Sequence, residues 1–275
     1  MAFGDLTRVN GNILGLQSLF ELQRNNSELG MRQLRLATGQ RINSAEEDAA
    51  SLSVATKLES RVRGQAQALA NIGDAKSMLS VAEGSMSTIQ EILMTMKEKT
   101  IQGANGTLSS TERNILGNEL NSLSTEIDSV LNSATFGGLS VFSSSAFSFQ
   151  VGALSTDTFS VSVSNTSAGT LGVASTALSV STAASASASL GAIETAINSV
   201  ASTIGGIGNS QLALTFKEEN LTINMTNQEA ARSRIQDADF AKEQIEIVKL
   251  QILQQTGIAA ISQANLGAQQ VLSLL

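Results

Sequence analysis

Apolar side chains fall alternately three and four residues apart through Ile72, Ala75, Leu79, Ala82, Met86, Ile89, Leu93 and Met96, without a break. A helix turns once every 3.6 residues, so this spacing draws one apolar seam down one face and suits coiled-coil packing. The seam reaches back, less regularly, through Leu69, Val62, Leu58 and Ala55. A helix over residues 45–101 would be roughly 80 Å long, well beyond the usual globular helix. Ser44 and Glu47 have the spacing of a capping box at its start, and Glu46, Glu47 and Asp48 sit at the positive end of its dipole.

Gly103, Asn105 and Gly106 form a breaker cluster. A second capping box, Ser109 to Glu112, then opens a helix with Leu116, Leu120, Leu123, Ile127, Val130 and Ala134 in step. A third seam runs through Leu190, Ile193, Ile197, Val200, Ile204, Ile207, Gln211, Leu214, Glu218, Leu221 and Met225, interrupted only by Gln211 and Glu218. Isolated amphipathic helices are marginal in water, so the three seams must bury against one another. Between the second and third seams the period changes to two. Phe147, Phe149 and Val151 alternate with polar residues, as do Phe159, Val161 and Val163, which predicts two strands joined by a turn over residues 152–157. The Ser-, Thr- and Ala-rich stretch 164–189 reads as surface loops with room for another short strand.

The two ends carry more apolar surface than one partner helix can cover. Ile13, Leu16 and Leu19 precede Leu22, Leu29 and Leu36, which fall seven apart. Near the other end Ala238, Ala241, Ile245, Val248 and Ile252 keep the three-four step, and Ile247, Leu250, Ile258, Ile261 and Leu272 make a second stripe. Such a helix is either buried inside a monomer or buried between subunits. That both ends share the feature favours subunits.

Composition narrows the chemistry. Apolar residues are 42% of the chain but aromatics only 3%, which suits thin helical seams. There is no His and no Cys, so imidazole bases, thiolate nucleophiles, Ser-His-Asp and Cys-His triads and the common zinc sites are excluded. No cofactor or metal is expected. With 17 basic against 24 acidic residues the chain is a poor match for nucleic acid. No apolar run reaches 18 residues, so no membrane-spanning helix is expected. Met1 to Asp5 lacks the charged and apolar regions of a signal peptide, so any export is expected to proceed without a conventional cleaved signal.

Several motifs together resemble one family. Leu36 to Val54, LATGQRINSAEEDAASLSV, is similar to the signature near the start of bacterial flagellins, and Val9 to Leu16 to their opening segment. Gln102 to Thr107 resembles their inter-helix turn. Ala231 to Ala241, ARSRIQDADFA, and the close from Ile252, ILQQTGIAAISQANLGAQQVLSLL, are similar to the C-terminal signature. The resemblance spans roughly residues 5–140 and 190–275, several motifs in order.

The resemblance implies a non-enzymatic subunit of a hollow helical filament, extracellular, turned by a rotary motor. It implies termini unstructured in the free monomer that fold together into an inner tube, the D0 layer, around an export channel, with the long helices forming the D1 layer. It implies passage through the flagellar type III export apparatus on an uncleaved N-terminal signal. An export chaperone binds the C-terminal helix, and a filament cap and hook-junction proteins are further partners. The expected fold is mainly α: a long coiled-coil helical bundle formed by the N- and C-terminal segments, with a small β-hairpin region mid-chain. Residues 1–44 would form the N-terminal half of D0, 45–140 the first D1 helices, 141–189 the hairpin and loops, 190–234 the C-terminal D1 helix and 235–275 the rest of D0, leaving little or no outer domain. The inner-tube interface would draw on Ile13, Leu16, Leu19, Leu22, Leu29, Leu36, Ile245, Val248, Ile252, Ile258, Ile261 and Leu272.

Helix caps and signature contacts would come from Arg41, Asn43, Ser44, Glu47, Asp48, Arg232, Arg234, Asp237 and Asp239. Arg41 with Glu46, Glu47 and Asp48 could instead be a catalytic cluster, but a cap with subunit salt bridges accounts for them more simply. Asp237 and Asp239 could hold a cation, or pair with Arg232 and Arg234 or with a neighbouring subunit; ion pairing is favoured. Gly205, Gly206 and Gly208 superficially suggest a phosphate loop, but no Lys follows and the segment interrupts a helical seam. The Ser/Thr-rich middle could carry O-glycans or be a solvated loop; the loop is favoured. Two departures stand out. Ser51 replaces the signature's usual Gly. At the patch that an innate-immune receptor reads in this family, Thr95 and Lys99 replace Arg and Leu while Glu119 matches, which implies weak activation. A hook–filament junction protein and a secreted monomeric helical adhesin are the competing functions.

Overall fold

The computed structural model describes residues 12–142, 146–164 and 166–272, with side chains as far as Leu266. Among these residues the elements run α1 (Ile13–Thr38), α2 (Ala45–Gly103), α3 (Ser110–Ser133), β1 (Thr135–Phe136), β2 (Leu139–Ser140), β3 (Phe147–Gln150), β4 (Thr158–Val161), α4 (Ala183–Gln236) and α5 (Phe240–Leu272). The fold is mainly α with small antiparallel hairpins. The chain divides into two compact units, residues 61–226 and residues 1–60 with 227–275. The divisions fall inside α2 and α4 rather than at the expected 44/45 and 234/235. The first turns of α2 and the last turns of α4 share contacts with the 39–44 link, where the Arg41 guanidinium holds the Ile235 carbonyl at 2.7 Å.

In the 61–226 unit the uninterrupted seam of α2, from Ile72 to Met96, is wholly buried. It joins Leu116, Leu120, Ile127 and Leu131 of α3 and Ile193, Ala196, Val200, Ile207 and Leu214 of α4 in one core. Burying an aliphatic side chain of this size contributes about 1.5–3 kcal/mol, so the seams are the main source of cohesion. α4 runs antiparallel to α2: Lys97 meets Glu194 at 2.9 Å, Glu83 meets Gln211 at 3.0 Å and Lys76 meets Glu218 at 2.9 Å. The two polar residues that interrupt the α4 seam thus have partners on α2. These pairs are half-exposed, so they fix register more than they add stability.

The α2–α3 turn is tightly held. The Ser109–Glu112 capping box forms, with the Glu112 carboxylate accepting from the Ser109 N–H at 2.7 Å and the Ser109 hydroxyl accepting from the Glu112 N–H at 3.4 Å. The Ser109 backbone N–H, and then its side chain, hold the Glu112 carboxyl below its usual range. Buried Arg113 donates to the Gly103 carbonyl and, at 2.6 Å, to the Asn105 carbonyl. The Gly103 carbonyl is one that the end of α2 would otherwise leave unsatisfied, and the Asn105 carbonyl, in the turn beyond, also accepts from the Leu108 N–H at 3.4 Å. Gly103 lies against Val180, whose Cβ would be 3.0 Å from any added Cβ.

The mid-chain hairpin forms as expected, with Phe147 opposite Val161 and Phe149 opposite Phe159. In its turn, Val151 N–H donates to the Asp157 carbonyl at 2.8 Å and Leu154 N–H to the Asp157 carboxylate at 3.1 Å. A Cβ on Gly152 would collide with the Asp157 side chain, lying 2.6 Å from its Cβ, so a larger residue there forces the turn to shift. A second hairpin, β1–β2, was not expected. Gly137 and Gly138 turn it with φ of 58° and 82°, the two left-handed residues that a two-residue hairpin turn requires. Its strands are too short to show a period.

Two expectations for residues 164–189 are corrected. No strand forms among the described residues there, and the stretch is not simply surface loop. Ala168, Leu171, Val173, Leu178 and Val180 are buried in the core, so the loop lids the helices. α4 also starts at Ala183, ahead of Leu190. Thr182 and Ser185 cap it reciprocally: the Thr182 hydroxyl accepts from the Ser185 N–H at 3.1 Å, and the Ser185 hydroxyl from the Thr182 N–H at 2.9 Å.

Candidate functional site

The described ends of the chain pair with each other. α1 begins at Asn12, whose side-chain oxygen accepts the Gly15 N–H at 2.9 Å as an N-cap. The Asn12 amide donates at 3.3 Å to the Ala264 carbonyl and at 3.1 Å to the Asn265 side chain. Farther along, Leu22 lies against Gly257, Gln254 bonds Asn26 at 2.8 Å, and Arg32 grips Glu243. Partner numbers fall as α1 numbers rise, so α1 and α5 are antiparallel. The pairing continues into the link, where Gly39 accepts from Ala238 N–H at 2.9 Å and Arg41 N–H donates to the Gln236 carbonyl at 2.6 Å.

This pair sorts the apolar residues of the two ends into two sets. On α5 the inward face carries Glu243, Ile247, Leu250, Gln254, Gly257 and Ile261, spaced four, three, four, three and four. Ile247 and Leu250 are buried, and Ile261 is half-buried. Opposite them Leu22, Leu29 and Leu36 of α1 are half-buried. The outward set remains in solvent: Ile13 is 61% exposed, Leu16 65% and Ile245 69%, with Leu19, Val248, Ile252 and Ile258 also exposed. Phe20, Leu34 and Leu253 join this set and were not singled out from the sequence. The Leu272 side chain lies outside the described residues.

Four charged residues of this unit, Arg32, Arg35, Glu47 and Glu243, form one cluster. Arg32 donates to both Glu243 oxygens, at 3.0 and 2.9 Å, and Arg35 binds Glu47 at 2.6 Å and approaches Glu243 at 3.8 Å. The Glu243 side chain is only 6% exposed. Sequence reasoning missed Arg32, Arg35 and Glu243, although a signal existed: Glu243 occupies a seam position on α5, where an acid requires a partner.

Arg35 also explains a correction at the start of α2. The expected Ser44–Glu47 capping box does not form. Glu47 directs its carboxylate to Arg35 and, at 3.4 Å, to the Asn43 N–H, while Ser44 contributes its carbonyl to the Glu47 N–H at 3.3 Å. The cap passes to Asp48, an extended residue at φ −163°, whose carboxylate accepts the Ser51 N–H at 3.0 Å. Ser51, through its side chain first and then its N–H, holds the Asp48 carboxyl below its usual range. The departure from the signature's Gly thus contributes to the cap.

The other signature residues act on backbone or near neighbours. Arg41 caps the end of α4 at Ile235, and Asn43 donates to the Gln40 carbonyl at 2.9 Å. Within the chain Arg232 forms its hydrogen-bonded ion pair with Glu229 at 2.6 Å, while Asp237 acts on it through charge alone. That hydrogen bond lowers the Glu229 pKa and raises that of Arg232. Asp239 caps α5 by accepting the Ala241 and Lys242 N–H groups at 3.0 and 3.2 Å. Asp237 N–H returns to the Ser233 carbonyl, and Arg234 is exposed. Among the described residues no group of three acids, His or Cys is placed to hold a metal. Nor is any described helix long and apolar enough to cross a membrane. In the 61–226 unit, Lys99 and Glu119 form an ion pair at 2.7 Å, and Thr95, exposed one turn earlier, bonds the Glu91 carbonyl at 3.1 Å.

Two family models match the chain, the bacterial flagellin N-terminal helical region over residues 9–146 and the bacterial flagellin C-terminal helical region over residues 190–275. The chain is 31% identical to Flagellin FlaB1 of Treponema pallidum, over 97% of this chain and 99% of that protein. The chain belongs to the bacterial flagellin family. The flagellin of Bacillus subtilis is 32% identical, over 98% of this chain and 99% of its own. Among solved structures, one titled as a flagellar hook-associated protein from Vibrio parahaemolyticus aligns with a TM-score of 0.55 at 21% identity, covering 70% of this flagellin and all of that chain. At that identity the match speaks for the fold alone, so it does not favour the junction-protein alternative.

Proposed function

We propose that this flagellin is the structural subunit of a flagellar filament and that it polymerises through the outward faces of α1 and α5. One observation carries the reading: the pair already covers one stripe of each helix, yet Ile13, Leu16, Leu19, Ile245, Val248, Ile252 and Ile258 still face solvent. Apolar surface of this extent marks an interaction face. Because the same feature lies on both members of one antiparallel pair, a second copy supplies the matching surface. In this reading the ends are loose in the free monomer and become ordered as neighbouring copies hide them. The chain leaves the cell through the flagellar type III export apparatus, with its N-terminal segment as an uncleaved signal. An export chaperone covers the apolar C-terminal helix beforehand. The subunit is added outside the cell beneath a filament cap, on a base of hook-junction proteins.

Concentrating the purified chain with filament seeds is expected to give long, uniform filaments by electron microscopy. A chain that stays monomeric by light scattering under those conditions would favour the adhesin reading instead.

A second expectation concerns the receptor patch. Lys99 is occupied by Glu119, and Thr95 offers a short hydroxyl where responsive relatives present Arg. The monomer is expected to activate a receptor reporter line weakly or not at all, and Thr95→Arg with Lys99→Leu to raise the response. Full activation by the unaltered monomer at ordinary doses would overturn this.

A further inference from the structure

We propose that Asn105, in the turn between α2 and α3, is a site of spontaneous deamidation that changes this turn as the protein ages. Asn105 is exposed and followed by Gly106, and both lie outside the helices. Deamidation requires the next residue's backbone nitrogen to reach the Asn side-chain carbonyl carbon. Gly106 has no Cβ to obstruct that approach, and no residue beyond its immediate chain neighbours crowds the position within 4 Å. None of the turn's described hydrogen bonds uses the Gly106 N–H. The Asn105 side-chain oxygen accepts the Thr107 N–H at 3.3 Å, which polarises the carbonyl toward attack. The electrophile is therefore held while the nucleophile is uncommitted.

The step balances without any oxidant or reductant. The Gly106 nitrogen bonds to the Asn105 Cγ, the Cγ–Nδ2 bond breaks, and the amide hydrogen leaves with ammonia, closing a succinimide. Water then adds to one of the two ring carbonyls. Opening one way gives aspartate. Opening the other gives isoaspartate, in which the main chain runs through the former side chain and is one atom longer.

The structure says what this would disturb. The Asn105 carbonyl is held by buried Arg113 at 2.6 Å, and the same guanidinium holds the Gly103 carbonyl at the end of α2. In isoaspartate that Asn105 carbonyl becomes a free α-carboxylate beside the Arg113 guanidinium while the chain to Gly106 runs through the former side chain, so a neutral acceptor becomes a charged one and the turn is re-routed. The chain contains its own control in Asn209, which precedes Ser210 inside α4. There the following N–H belongs to a continuous helix and must be released by local opening before it can attack.

The test incubates the full-length chain at mildly alkaline pH and maps isoaspartate by peptide mass spectrometry. Conversion at Asn105 is expected to exceed that at Asn209 by about tenfold or more, and Gly106→Ala to slow it several-fold. Equal rates at the two sites, or a Gly106→Ala chain that converts as fast as the original, would overturn the proposal. Circular dichroism of Gly106→Ala establishes that its turn is folded, and Gly106→Ser serves as the second variant if it is not. In either variant, unchanged conversion counts against the proposal.

Discussion

Ending the chain after Ile252 is expected to abolish filaments while leaving the 61–226 unit folded. The cut removes the inward Gln254, Gly257 and Ile261 of α5, together with the outward Leu253, Ile258 and Leu266, which are 41%, 53% and 52% exposed in the single chain. Hiding the exposed remainder of each of these three contributes about 1 kcal/mol. Losing about 3 kcal/mol from each subunit contact weakens it roughly a hundredfold, and every subunit repeats the loss. The core of the 61–226 unit contains nothing beyond Leu221. Its thermal transition by circular dichroism is therefore expected to stay within a few degrees of the full chain. Normal filaments from the truncated chain would refute the role given to α5. A lost transition would instead show that the 61–226 unit depends on the ends.

Replacing Glu243 is expected to raise the critical concentration for assembly more than any other single exchange on α5. Glu243 is nearly buried and accepts two hydrogen bonds from Arg32. Glu243→Leu fits the seam in size but strands the Arg32 guanidinium against an apolar face. Removing one partner of such a pair costs about 2–3 kcal/mol here, discounted because Arg32 is 22% exposed. The critical concentration should rise about thirtyfold or more. Adding Arg32→Met removes the stranded charge, and the double variant should recover much of the loss, since an apolar pair replaces an ion pair at little cost. A single variant that assembles like the original, or a double variant worse than the single, would show that the pair does not set the register of α1 on α5. Glu243→Gln separates charge from shape: it keeps the side chain's length and an acceptor oxygen, and should fall between the two.

Much of the fold was legible because its signals are local. The α2 seam from Ile72 to Met96 carries its partner requirement in its own spacing. The Ser109–Glu112 cap lies within one turn, and the Phe147–Val161 hairpin declares itself by alternation. What was not legible depended on a competitor from elsewhere in the chain. Ser44 and Glu47 have the spacing of a capping box, but Arg35 of α1 takes the Glu47 carboxylate, and the cap moves to Asp48. Arg232 is near enough in sequence to pair with Asp237, yet Glu229 lies one helical turn away on the same face and wins. Residues 164–182 look like polar loop by composition, and only the core beneath them gives Leu171, Val173 and Val180 somewhere to go.

The sequence by itself determined the fold class, the three seams, the family and the excess of apolar surface at both ends, because each is written in spacing or composition within a single segment. Only the tertiary structure decided which part of that excess is spent inside the chain. Leu22, Leu29 and Leu36 turn toward Ile247 and Leu250, while Ile13, Leu16, Ile245 and Ile252 turn away. The reason is physical. A helix apolar on two faces has no internal preference between them, and the choice belongs to the partner helix and to the charged contacts of Glu243 with Arg32 and Arg35 that hold the pair in register.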